Sequence, residues 1–138
     1  MTLEVASGRS EDGPAGPRIL LVSPDLMSTS RIAGLARDAG GRLETLRSLD
    51  DQPPAGPFQL VLLDLQAVAG DPAVLVSRTR ALIDAQRSRT GCNARLVAFG
   101  PHVAKDRLDQ ATAAGADAAV SRGELLGGFP AILRRVCG

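Results

Sequence analysis

Tryptophan and tyrosine are absent from this chain, and only three phenylalanines occur in it. Single-stranded nucleic acid binds by stacking its bases on aromatic faces, so that mode has nothing to work with. Charge of one sign is lacking too. Sixteen Lys+Arg against 15 Asp+Glu leave a formal net charge of +1, too little to attract a nucleic-acid backbone or an acidic membrane. No apolar run approaches the roughly 20 residues of a membrane span. Met1-Thr2-Leu3-Glu4-Val5 has neither the basic start nor the apolar stretch of a secretion signal. Nucleic acid and membranes are therefore not expected partners. Histidine is represented by His102 alone and lysine by Lys105 alone, which leaves little for acid–base catalysis or a His-rich metal site. The two cysteines, Cys92 and Cys137, form no metal or redox spacing and read as free thiols in a reducing cytoplasm. No glycine-rich nucleotide loop and no nucleophile elbow occurs.

What is present is ordinary globular material. The 138 residues are 44% hydrophobic and 22% charged, which suits one domain with a real core. Residues 1–17 end in Ser10-Glu11-Asp12-Gly13-Pro14-Ala15-Gly16-Pro17, have no hydrophobic period, and read as a flexible tail before a domain at 18–138. Ile19-Leu20-Leu21-Val22, Phe58 to Leu65 and Ala94 to Phe99 are apolar without alternation, the pattern of strands buried on both faces of a parallel sheet. Leu43 to Leu46 alternates like an edge strand, and Ala118-Ala119-Val120 is short. Between the strands lie helical patterns. The first has Ile32, Leu35, Ala36 and Ala39 on one face with Ser28 as N-cap. The second opens with Asp71-Pro72 and carries Val74, Arg78, Ala81, Leu82 and Ala85 as a stripe. The third spans Lys105 to Ala114, and the last carries Leu125, Phe129, Ile132, Leu133 and Val136, with a fresh start at Phe129-Pro130. Alternating strands and helices with right-handed crossovers give a doubly wound, flavodoxin-like α/β fold. Its five parallel strands take the order 2-1-3-4-5. Between Leu46 and Phe58 the prolines leave no room for a full helix, so the second helix is reduced or missing.

Sites in such folds lie at the carboxyl ends of the strands. Those ends carry Ser23-Pro24-Asp25, then Asp64, then Gly100-Pro101-His102, then Ser121-Arg122-Gly123. Asp64 closes the most hydrophobic stretch of the chain, and a carboxylate there needs a partner, a metal or water. An apolar strand ending in this Asp, the Gly115-Ala116-Asp117 turn before a small strand, and a cation just after it resemble the receiver (CheY-like) domains of two-component response regulators. The resemblance spans about residues 18–137.

The resemblance implies that Asp64 stands at the phosphoacceptor position. It places the Mg²⁺-holding acidic pair at Ser23 and Pro24, with Asp25 one place further on. The hydroxyl that contacts the phosphoryl group falls on Gly100, the lysine on Arg122, and the proline after it on Gly123. Mg²⁺ is held through carboxylates, so the thinned cluster Asp25, Asp64, Gly100, Arg122 leaves at most Asp25 and Asp64 as metal ligands. Asp25 reads equally as a helix-start acid. Arginine does not stand in for a lysine point charge. The reading is a degenerate, pseudo-receiver form: a non-enzymatic protein-interaction or signalling module, without cofactor or ordinary phosphoryl transfer. The alternative is an atypical response regulator that accepts phosphate on Asp64. By the same resemblance, partners or a homodimer would use the face made by the 105–114 helix, the 118–120 strand and the last helix, with Arg107, Leu108, Arg122, Leu125 and Arg134 on it. A final expectation concerns charge. Asp64 and Arg122 are separated by two strand spacings, about 10 Å, and together could close that gap, so Arg122 is expected to reach Asp64 directly or through water.

Overall fold

The structure is a computed structural model, and it describes residues 16–137. Five parallel strands form one sheet: β1 (Arg18–Val22), β2 (Arg42–Leu46), β3 (Leu60–Asp64), β4 (Arg95–Gly100) and β5 (Ala118–Ser121), in the spatial order β2-β1-β3-β4-β5. Five helices connect and cover them: α1 (Leu26–Asp38), α2 (Pro72–Thr90), α3 (Lys105–Ala113), α4 (Arg122–Gly127) and α5 (Phe129–Cys137). This is the doubly wound sheet that the strand and helix patterns call for. β3 is central and buried at every position, from Leu60 to Asp64. Its register sets Ile19 beside Leu60 on one side and Asp64 beside Phe99 on the other.

Successive side chains of a strand point to opposite faces, and the core divides accordingly. Ile19, Leu21, Leu60, Leu62, Val97 and Phe99 face α1, α4 and α5, where Ile32, Leu125 and Phe129 meet them. Leu20, Val22, Val61, Leu63, Leu96 and Ala98 face α2 and α3, against Leu75, Val76, Ile83 and Ala111. Among the described residues, no helix is long and apolar enough to cross a membrane.

Of the expected N-terminal tail, residues 1–15 lie outside the described residues. Gly16 donates its N–H to the Gly40 carbonyl and Pro17 accepts from Arg42 N, so those two prolong the β1–β2 ladder. The interval after β2 holds no helix. A turn at Leu49–Asp51 leads into an extended run. Pro53 and Pro54 then lie beside Leu20, Phe58, Val61, Leu82 and Ile83, over sheet that a helix would otherwise cover. Gln86 fixes the end of that run: its Oε1 accepts from Phe58 N and its Nε2 donates to Phe58 O at 2.9 Å.

Two local expectations need correcting. Ser28 is not the N-cap of α1. It is buried inside the helix, and Asp25 caps it by accepting from Met27 N. The buried stripe of α2 is Pro72, Leu75, Val76, Thr79, Ile83 and Gln86, whereas Val74, Arg78, Ala81 and Ala85 are exposed. Two polar residues disguise the true stripe. Thr79 buries its hydroxyl by donating to Leu75 O, and Gln86 by clasping Phe58. The cap itself is as expected, with Asp71 accepting from Ala73 N ahead of Pro72.

Candidate functional site at the strand ends

β1 and β3 end side by side, and the two loops that leave them build the site. The Asp64 residue is only 1% exposed, yet every lone-pair direction it uses meets a neutral donor. Oδ2 accepts from the Ser23 hydroxyl at 2.8 Å. Oδ1 accepts from Gln66 N at 3.0 Å and Ala67 N at 3.1 Å, the first amides of the loop that follows. Ser23 is fully buried and accepts in turn from Asp25 N at 3.1 Å. The segment folds this way because a carboxylate at a strand end can draw in the next free N–H groups, an Asx turn. The hydroxyl of Ser23 supplies the remaining donor.

Asp25 is bound into its own local structure. Its Oδ1 accepts from Met27 N and its Oδ2 from the Ser28 hydroxyl at 2.7 Å. These bonds favour the ionised form, the Ser28 hydroxyl most, and hold the carboxyl below its usual range; the Arg122 charge adds the smallest of the lowering influences. Asp25 stands at the start of α1 and caps it.

The direct pair between Arg122 and Asp64 is not formed. Among the described residues Asp64 makes no ion pair, and Arg122 contributes to the lowering of the Asp25 carboxyl. The reason lies in two places. Asp64 is already satisfied by neutral donors. Arg122 is the first residue of α4, which starts directly from β5 through a capping box in which Ser121 Oγ accepts from Glu124 N and Glu124 Oε1 accepts from Ser121 N. The same box holds the Glu124 carboxyl below its ordinary range, chiefly through the Ser121 N–H. Ser-x-x-Glu at 121–124 is the signal of this turn in the sequence.

The other anticipated positions scatter. Gly100 is buried at the end of β4, where an added Cβ would find only ordinary contacts with Leu65 and Leu108. His102 is exposed in the following loop. On the expected partner face, Arg134 is exposed and Leu108 and Arg122 are half-buried, but Leu125 is 0% exposed, packed in the core, and Arg107 turns inward. Arg107 Nη2 donates to Leu65 O at 2.9 Å and to Gly70 O at 3.2 Å, bridging α3 to both ends of the loop after Asp64. The arginine–carboxylate cluster expected at Asp64 forms instead at Asp117, where Oδ2 meets Arg80 at 2.9 Å and Oδ1 meets Arg95 at 3.8 Å.

A divalent cation does not suit this donor set. Mg²⁺ wants carboxylate oxygens free to turn toward it. Asp64 and Asp25 each engage both oxygens with N–H and O–H donors, and the side chain set against Asp64 is the Ser23 hydroxyl where a further carboxylate would be needed. No group of three His, Cys, Asp or Glu gathers among the described residues.

A parallel sheet of order 2-1-3-4-5 is the flavodoxin-like arrangement, and receiver domains of known structure share it with this chain. Solved structures agree. The chemotaxis response regulator CheY4 of Vibrio cholerae is 16% identical, with a TM-score of 0.66 over 87% of this chain and 98% of that one. The receiver domain of the sensor histidine kinase PA1611 from Pseudomonas aeruginosa, solved with magnesium in its active-site cleft, is 18% identical, with a TM-score of 0.66 over 90% of this chain and 99% of that one. The non-phosphorylated HemR receiver domain from Leptospira biflexa is 21% identical, with a TM-score of 0.66 over 89% and 95%. No protein-family model matches the sequence. No curated protein matches it either.

Proposed function

We propose that this chain is a cytoplasmic, receiver-type signalling module that works by engaging a protein, not by accepting a phosphoryl group. The observation that carries the reading is the state of Asp64: buried, and with both oxygens bonded to Ser23, Gln66 and Ala67. A phosphoacceptor must present a free oxygen to its donor and keep a metal beside it to offset the negative charge that builds up. Here Ser23 occupies the ground that one of the metal-holding acids takes in the receivers this chain resembles, and its hydroxyl closes over the carboxylate.

The exposed apolar side chains favour a protein-facing role. Leu26, Met27, Val74 and Val103 are the exposed large hydrophobics among the described residues, with Met27 at 75% and Val103 at 80%. All four stand on the elements that leave the carboxyl ends of β1, β3 and β4, the end where Asp64 is sealed. A homodimer through α3, β5 and the last helix is a second use of the molecule's surface, with Arg134 exposed to contribute to it. Incubation with acetyl phosphate and Mg²⁺, followed by intact-mass spectrometry, tests the reading. No gain of one phosphoryl group is expected. A gain that Asp64→Asn abolishes would establish the phosphoryl-accepting alternative.

A further inference from the structure

A cavity of about 380 Å³ opens between the β3–α2 loop and the start of α3. Its walls include Leu65, Val68, Pro101 and Leu108, and its floor passes Gly100, where the absence of a side chain leaves the space open. Small-molecule sites commonly have this size and this mostly apolar lining, with a few polar groups that orient the ligand. One charged side chain lines it, Arg107, and no acidic residue does. Elsewhere arginines 18, 78, 80, 87 and 95 each have a carboxylate within 4 Å. Arg107 has none: its Nη2 serves the carbonyls of Leu65 and Gly70, while Nη1 and Nε have no partner among the described residues. A guanidinium fixed by two carbonyls, beside apolar walls and with donors to spare, complements one negative charge joined to a compact apolar body.

We propose that this cavity binds a small organic carboxylate, with its carboxylate on Arg107 and its apolar group against Leu65, Val68 and Leu108. Inorganic phosphate would leave the walls unused, and a nucleotide brings more charge than one arginine can meet. The cavity borders the loop after Asp64, Gln66 included, but holds neither Ser23 nor Asp64, so its occupancy is measured separately from phosphoryl transfer to Asp64. Because Arg107 ties both ends of the β3–α2 loop to α3, an occupant would stiffen that link.

Titration of the ¹⁵N-labelled full chain with benzoate tests the proposal. Amide signals of Gly70, Gly100, Ala104 and Leu108 should move saturably, with a Kd on the order of 1 mM for so few atoms. Benzamide, its neutral analogue, and inorganic phosphate should each bind about tenfold more weakly or not at all. Arg107→Gln should abolish the benzoate response. Gly100→Val, which fills the floor with a residue suited to a strand, should abolish it with Arg107 and its carbonyl bonds in place. Absence of saturable shifts with benzoate, equal affinity for benzamide or phosphate, or binding that survives in a folded Gly100→Val protein would each overturn it.

Discussion

Two aspartates near the strands of this molecule solve one problem in opposite ways. Asp117, in the turn before β5, has a side chain 26% exposed and gathers Arg80 and Arg95 while accepting from Leu96 N. Asp64, at the end of β3, is buried and, among the described residues, gathers no cation, only a hydroxyl and two amides. The contrast shows what each place demands. At a half-open turn, arginine heads remain hydrated while they pair, and the gain is small and screened by salt. In a sealed strand end, a guanidinium would lose its water as well, and short neutral donors already in the chain satisfy the carboxylate without a second buried charge. In this fold, therefore, an aspartate at the end of the central strand can be held as a structural acceptor of hydrogen bonds.

The largest expected effect comes from removing that acceptor. Asp64→Ala leaves the buried Ser23 hydroxyl without its acceptor and takes the same acceptor from two part-buried amides, so urea unfolding should show a loss of about 3 kcal/mol. Asp117→Ala, which removes two screened ion pairs and the acceptor of Leu96 N, should lose less, about 1–2 kcal/mol. Equal losses would erase the distinction between the two sites. Raising the salt concentration sharpens it: the Asp117→Ala penalty should shrink and the Asp64→Ala penalty should stay, because only the exposed pair is screened.

Next in size is Ser23→Ala, which deprives one buried oxygen of its donor and should cost about 1–2 kcal/mol. A double-mutant cycle with Asp64→Asn should be clearly non-additive, whereas Arg122→Ala with Asp64→Asn should add to within about 0.5 kcal/mol. Coupling to Arg122 in place of Ser23 would reverse the assignment.

How much of this was legible in the sequence follows from what each residue type can signal. Uninterrupted apolar runs such as Ile19–Val22 and Leu60–Leu63 announce buried parallel strands, and Pro53-Pro54 announces the missing helix, because few other structures tolerate those patterns. Asp64 stood out because a carboxylate rarely ends such a run. Its partner did not. A serine is silent about whether its hydroxyl faces water or a carboxylate, and Ser23 was seen only as a place where an acid was missing. Arg122 looked like the partner because long cationic side chains can be imagined reaching anywhere; the capping box at Ser121 and Glu124, a short-range constraint, decided where that backbone goes. The stripe of α2 is hidden in the sequence because Thr79 and Gln86 are polar yet buried, and only the contacts they make inside show it.

The smallest expected effect concerns Asp25. Its carboxyl is held low mainly by the Ser28 hydroxyl and only slightly by Arg122. Ser28→Ala should therefore raise its titration midpoint, followed by carboxyl ¹³C NMR, more than Arg122→Gln does. The folded-state value is depressed, so the stabilisation is present above the ordinary carboxylate range and fades as pH falls through the lowered value. Ser28→Ala should accordingly flatten the acid limb of the stability profile.

The most direct test of the central claim is a titration of the ¹⁵N-labelled chain with beryllofluoride and Mg²⁺, the mimic of a phosphorylated aspartate. If Asp64 is closed by Ser23 and its own loop, the amides of Gln66 and Ala67 stay where they are throughout the titration. A saturable, Mg²⁺-dependent movement of those two amides, lost in Asp64→Asn, would show that the carboxylate opens to a metal and a phosphoryl group, and would contradict the account.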